Sequence, residues 1–115
     1  MRLVKSLLFL CDGDPVLVLV AGSRRADPAK IAKEVGASAA KIAPPPVVLR
    51  ITGFDAGGVA PFPQPGVREV LIDPTLLSWP EVWAGAGSDR HMAALAPTEL
   101  VRLSRARQAE VCRDA

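Results

Sequence analysis

Apolar residues gather in blocks along the chain, and the residues between the blocks say how each one folds. Residues 3–11 are mostly apolar, and a second block, residues 16–21, follows after Asp12-Gly13-Asp14-Pro15. An Asp-Gly pair between two such runs is the strongest short-range hairpin signal, because both central residues of the tight turn take positive φ. The second block does not alternate apolar with polar, which predicts a strand covered on both faces. Asp27-Pro28 then opens a helix, with aspartate as N-cap and proline at the first helical position. Its apolar face carries Ile31, Ala32 and Val35, and Gly36 stops it.

Beyond this helix the pattern is more broken. Pro44-Pro45-Pro46 reads as a rigid loop. Residues 47–52 form a short apolar element whose periodicity does not decide its type, although Gly53 just after it favours a helix. Residues 57–66 hold three glycines and three prolines, which predicts an ordered loop. Residues 69–73 read as a strand, 74–78 as a helical turn, and 81–86 and 91–95 as two further strands. Pro97 opens a last helix with Leu100, Val101 and Leu103 on its inner face. Strands outnumber helices and connections are short, so the expected fold is α+β: a mixed, largely antiparallel sheet with helices packed around it. The 115 residues suit one domain, residues 1–115, with neither repeat nor linker.

Composition narrows the class. Half the residues are hydrophobic, which excludes a disordered chain. No apolar run has membrane-spanning length, and Lys5 and Asp12 bracket too few apolar residues for a signal peptide. Two cysteines, Cys11 and Cys112, do not make a disulfide framework, so a reduced, cytoplasmic setting is expected. Net charge is only +2, yet ten of the fourteen basic residues are arginine, and Arg102, Arg105, Arg107 and Arg113 crowd the C-terminal end. Arginine suits phosphate through its forked donors. The same residues also fit a solvated helix surface, because the balance falls short of a strongly basic nucleic-acid-binding domain.

Candidate chemistry sits in two glycine clusters. One is Thr52-Gly53-Phe54-Asp55-Ala56-Gly57-Gly58-Val59-Ala60-Pro61-Phe62; the other is Ala84-Gly85-Ala86-Gly87-Ser88-Asp89-Arg90-His91. Glycine lets main-chain N–H groups approach a ligand closely, so such loops cradle carbonyl or phosphate oxygens. Neither cluster matches a P-loop or a dinucleotide-binding run. With a single histidine, no Ser-His-Asp order and no metal-ligand cluster, a protein nucleophile, a metal and a cofactor are all unexpected. A pocket walled by backbone remains.

In this order the landmarks resemble the YbaK/prolyl-tRNA-synthetase-associated editing domain, across nearly all of the chain. The matching residues are Val4-Lys5-Ser6-Leu7-Leu8-Phe9, the apolar strand at 16–20, the helix at 27–36, Thr52-Gly53-Phe54 with Gly57-Gly58-Val59-Ala60-Pro61-Phe62, Leu71-Ile72-Asp73, and Ala84-Gly85-Ala86-Gly87-Ser88 with His91. The resemblance implies a barrel-like sheet and an enzyme that deacylates mischarged aminoacyl-tRNA in trans, meeting the acceptor end of tRNA and in some settings a synthetase. It also implies a member shortened at its N-terminus, since the lysine motif lies almost at the start. The rival expectation is a non-catalytic tRNA- or synthetase-binding module of the same fold.

The resemblance assigns roles residue by residue. Lys5 holds the substrate, and the N–H groups of Gly57 and Gly58 face the ester carbonyl. Gly85, Gly87 and Ser88 form the opposite wall, Ser6 lines the side-chain pocket, and His91 contacts the amino acid. Each has a plainer alternative. Lys5 alone is an ordinary lysine near a strand end; Gly57 and Gly58 alone are a tight turn needing positive φ; a lone histidine is a surface or capped residue. Trp79 and Trp83 fill core or rim more readily than they stack on a base.

Overall fold

The computed structural model describes residues 2–62, 64–88 and 91–114; at residues 86–88 and 91 it describes the backbone alone. Strands β1 (Val4–Cys11) and β2 (Asp14–Ala21) form the expected hairpin, with Asp12 at φ 48 and Gly13 at φ 89 in the turn. The Asp12 carboxylate also accepts from the Ser38 and Ala39 N–H groups (2.8 and 3.2 Å), which ties the turn to the chain entering β3 (Ala40–Ile42). Between them lies α1 (Pro28–Val35), capped by the Asp27 side chain on Ala29 N (3.0 Å) and ended by Gly36 at φ 71.

The next helix, α2, runs Pro45–Thr52 and ends at Gly53, φ 77. The proline run is therefore partly helix rather than wholly loop. Proline's fixed φ suits a first helical turn, where its missing N–H is not needed. Strand β4 (Glu69–Ile72), a 3₁₀ turn (Pro74–Ser78), the hairpin β5 (Val82–Ser88) and β6 (His91–Leu95), and α3 (Pro97–Ser104) follow as the pattern predicts, and β7 (Arg107–Gln108) closes the order.

Five strands make one sheet in the order β3-β1-β2-β4-β7, while β5 and β6 pair with each other. Strand β1 is antiparallel to both its neighbours, whereas β2–β4 and β4–β7 are parallel. The mixed, largely antiparallel α+β expectation holds, but the barrel does not close. Main-chain links between the two sheets include the Leu3–Trp83 bridge and a bond from Trp83 N–H to the Arg2 carbonyl (2.8 Å).

Every residue from Val16 to Ala21 is buried, as a strand without alternation requires. One face of the sheet packs Val4, Leu8, Leu17, Leu19 and Ile72 with Val59, Val82, Ala84 and Leu100. The other packs Phe9, Val18, Val20 and Leu71 with Ile31, Val35, Val111 and Cys112. Leu103, expected inside, is 37% exposed, because α3 turns only Leu100 and Ser104 fully inward along with Pro97. Both cysteines are buried and free. Among the described residues, no helix is long and apolar enough to cross a membrane.

Candidate active site

Strand β2 pairs with β1 along its whole length, whereas β3 pairs only with residues 9–11. The other edge of β1 at residues 4–7 is thus left without β3, and a cleft of about 310 Å³ opens there. Its floor is Val4, Lys5, Ser6 and Leu7; one wall is Ala56, Gly57 and Val59 of the first glycine loop, and the other is Gly85 and Met92 of the β5–β6 hairpin. Lys5, Ser6, Gly57 and Gly85, chosen from sequence, therefore meet in one place. Val4, Leu7, Val59 and Met92 line it too. They carry no chemical signal in the sequence, because only the third dimension shows which apolar residue stops short of the core.

Alternation along β1 separates its two polar side chains. Ser6 has the parity of Val4 and Leu8, on the face shared with Val59 and Ala84. Lys5 has the parity of Leu7 and Phe9, and sits opposite Val20. Its ammonium passes the end of β2 and donates to the Arg24 carbonyl at 2.8 Å. The Arg24 guanidinium in turn meets Asp73 at 2.9 Å and the Thr75 hydroxyl at 2.5 Å. Asp73 is 2% exposed and also accepts from Thr75 N–H (3.3 Å). Asp73-Pro74-Thr75 has the form of a helix-start signal, which makes the carboxylate legible in sequence; nothing in sequence marks Arg24 as its partner.

Cys112 lies beside this group. Burial first, and the neighbouring Asp73 charge second, push its thiol up to about 11, so it stays protonated and inert near neutral pH.

The glycines divide. Gly57 lines the cleft, and a Cβ added there meets nothing within 4 Å. Positive φ, expected for this loop if it were a tight turn, occurs instead at Gly13, Gly36 and Gly53. Gly58 is buried and its N–H already donates to the Asp55 carbonyl (2.8 Å), so in this conformation that N–H closes the loop. Gly85 pairs with Met92, and a Cβ there would stand 3.8 Å from the Val59 carbonyl. The register of the hairpin shifts between Gly85 and Ser88, where Ser88 faces His91. The side chains of Ser88 and His91, the surroundings of Gly87, and residues 89 and 90 lie outside the described residues.

The arrangement offers a slot walled by Ala56, Gly57 and Gly85 together with Val59 and Met92, with the Lys5 ammonium held at its edge. It suits a substrate gripped by backbone. The aminoacyl-tRNA editing domain, as a family, matches residues 1–103. The uncharacterized protein YwhH of Bacillus subtilis is 35% identical over 98% of this chain and 73% of its own length. The proline–tRNA ligase of Nitratidesulfovibrio vulgaris is 39% identical over 64% of this chain, a stretch that makes up 13% of that ligase. A crystal structure described as a proposed trans-editing enzyme for prolyl tRNA synthetase superposes with a TM-score of 0.88 at 36% identity, covering 97% of this chain and 71% of that one. The chain belongs to the aminoacyl-tRNA editing domain family.

Proposed function

We propose that this chain hydrolyses the ester of mischarged aminoacyl-tRNA, acting in trans on tRNA that a synthetase has released. The observation that carries the reading is the meeting of the Lys5 strand edge, the Gly57 loop and the Gly85 hairpin around one cleft. An aminoacyl ester is already activated, so a site needs chiefly to position it and to stabilise the oxyanion that forms. Among the described residues the lining holds one hydroxyl, Ser6, and no carboxylate to activate it. In keeping with the family resemblance, water is the attacking group in this reading, aided by the neighbouring ribose hydroxyl of the substrate. Its oxygen bonds to the ester carbon; the bond to the ribose oxygen then breaks, and that oxygen takes the proton.

In this reading Lys5 engages the substrate from one side of the floor, Ser6 and Val59 shape the amino-acid slot, and the Gly57 main chain faces the carbonyl. The relation to prolyl-tRNA ligases and to a proposed editing partner of prolyl tRNA synthetase supports tRNA, and a synthetase, as partners. The test is single-turnover deacylation of a panel of mischarged tRNAs by the intact chain. Turnover of at least one small-side-chain ester is expected. Binding of every tRNA with no turnover would replace the enzyme by a non-catalytic binding module.

A further inference from the structure

Lys5 is held by a carbonyl, and that carbonyl is held by an ion pair. The Arg24 carbonyl belongs to the turn that leaves β2. This turn is fixed by Gly22 N–H on the Leu3 carbonyl (2.8 Å) and by Arg24 N–H on the Ala21 carbonyl (3.0 Å). The Arg24 guanidinium reaches Asp73 and Thr75, with a longer bond to the Arg113 carbonyl (3.4 Å). Asp73 cannot drift: it follows β4 directly, its N–H donates to the Leu19 carbonyl (3.0 Å), and its side chain is 2% exposed. Parallel pairing of β2 with β4 therefore sets the place of the carboxylate, which sets the arginine, which sets the acceptor for Lys5.

The pairing also settles a competition between cations. A buried carboxylate needs a cation, and Nη1 of Arg24 donates to Asp73 and Thr75 together while Nη2 reaches the Arg113 carbonyl. Among the described residues Lys5 forms no ion pair; its partner is an uncharged carbonyl. The ammonium is located without being neutralised.

We propose that Arg24 and Asp73 are positioning residues for Lys5: they fix its ammonium at the cleft edge, and their pairing keeps the buried Asp73 carboxylate from capturing it. This rests on the reading of Lys5 as the residue that engages the substrate. Four chains test it, the wild type, Arg24→Gln, Asp73→Asn and the double variant, each measured for melting temperature, kcat and KM on a mischarged aminoacyl-tRNA that the wild type deacylates, and acetylation rate of Lys5 relative to exposed Lys41.

Both single variants lose melting temperature: Arg24→Gln leaves the buried Asp73 carboxylate without its cation, and Asp73→Asn leaves the half-buried Arg24 guanidinium without its anion. The double variant carries no buried charge at the pair and recovers much of that loss, yet its kcat stays about tenfold or more below wild type with KM little changed, because the lysine is no longer held in place. Its Lys5 acetylates faster, by roughly threefold or more, as a freed side chain samples solvent. A double variant that regains kcat together with melting temperature, or whose Lys5 acetylates at the wild-type rate, would overturn the proposal. Lys5→Ala separates the two levels. Full turnover in that variant sinks the catalytic reading of the lysine, while the acetylation rates still report whether Arg24 and Asp73 position it.

Discussion

Gly57 separates space from backbone strain. It takes no positive φ, and a methyl group there meets nothing within 4 Å, so Gly57→Ala leaves the fold undisturbed. Losing unfolded-state freedom stabilises the chain by about 0.4–1 kcal/mol. Because Gly57 lines the cleft, the added methyl should narrow it, and turnover should fall, most for the bulkier acyl groups. Equal turnover with an unchanged substrate ranking would place the substrate elsewhere. Lys5→Ala removes one part-buried hydrogen bond, to the Arg24 carbonyl, and should cost about 1 kcal/mol of stability. Its effect on deacylation should be far larger, about a hundredfold or more, if it stabilises developing charge.

Cys112 gives a pH signature. Its folded-state value, about 11, lies above the ordinary 9.0, so the folded protein holds the thiol proton more tightly than the unfolded chain. That contribution is fully present below pH 9.0 and is lost as pH rises towards about 11. Urea unfolding across this window should show a steeper loss of stability for the wild type than for Cys112→Ala, and parallel curves would contradict it.

At the level of elements, local signals and long-range pairing part company. The α1 cap is local: Asp27 accepts from Ala29 N–H, and Asp27→Ala should cost about 1 kcal/mol in chemical unfolding. The cap shares no residue with the cleft lining, so deacylation at a temperature well below unfolding should not change. A large loss of turnover would mean that α1 supports the cleft through the sheet. The turn Asp12-Gly13, the helix stops at Gly36 and Gly53, and the apolar run of β2 were legible because each depends on neighbours in sequence. Strands β3 and β7 were not. Ala40–Ile42 and Arg107–Gln108 are short and carry little pattern, and they are strands because β1 and β4 offer free backbone edges. Leu103 misled for a related reason: an apolar residue in an amphipathic helix faces the core only if the partner reaches that far.

For the whole molecule, part of the charge is spent internally. Arg24, Arg68, Arg102 and Arg107 all pair with carboxylates, and the net charge is only +2. Contact with tRNA should therefore be loose and carried by few phosphates. With about two to four such contacts, the logarithm of the binding constant falls with that of salt at a slope of roughly −2 to −3. A flat response in a filter-binding or fluorescence titration would show that phosphate contacts do not carry the binding.

Sequence by itself determined the hairpin, α1 with its cap and its stop at Gly36, the α+β class and the glycine-loop family likeness, because turn chemistry and hydrophobic period act over a few residues. Lys5, Ser6, Gly57 and Gly85 could be nominated on those grounds, though not placed together. Tertiary structure alone decided that β3 stops short and leaves an edge of β1 at residues 4–7 for a cleft. It also decided that Gly58 spends its N–H on Asp55 and that Lys5 leans on a carbonyl fixed by Asp73. Arg24 and Asp73 are 49 residues apart in the chain. Only the parallel pairing of β2 with β4 brings them together, and a pairing of that range has no local signature.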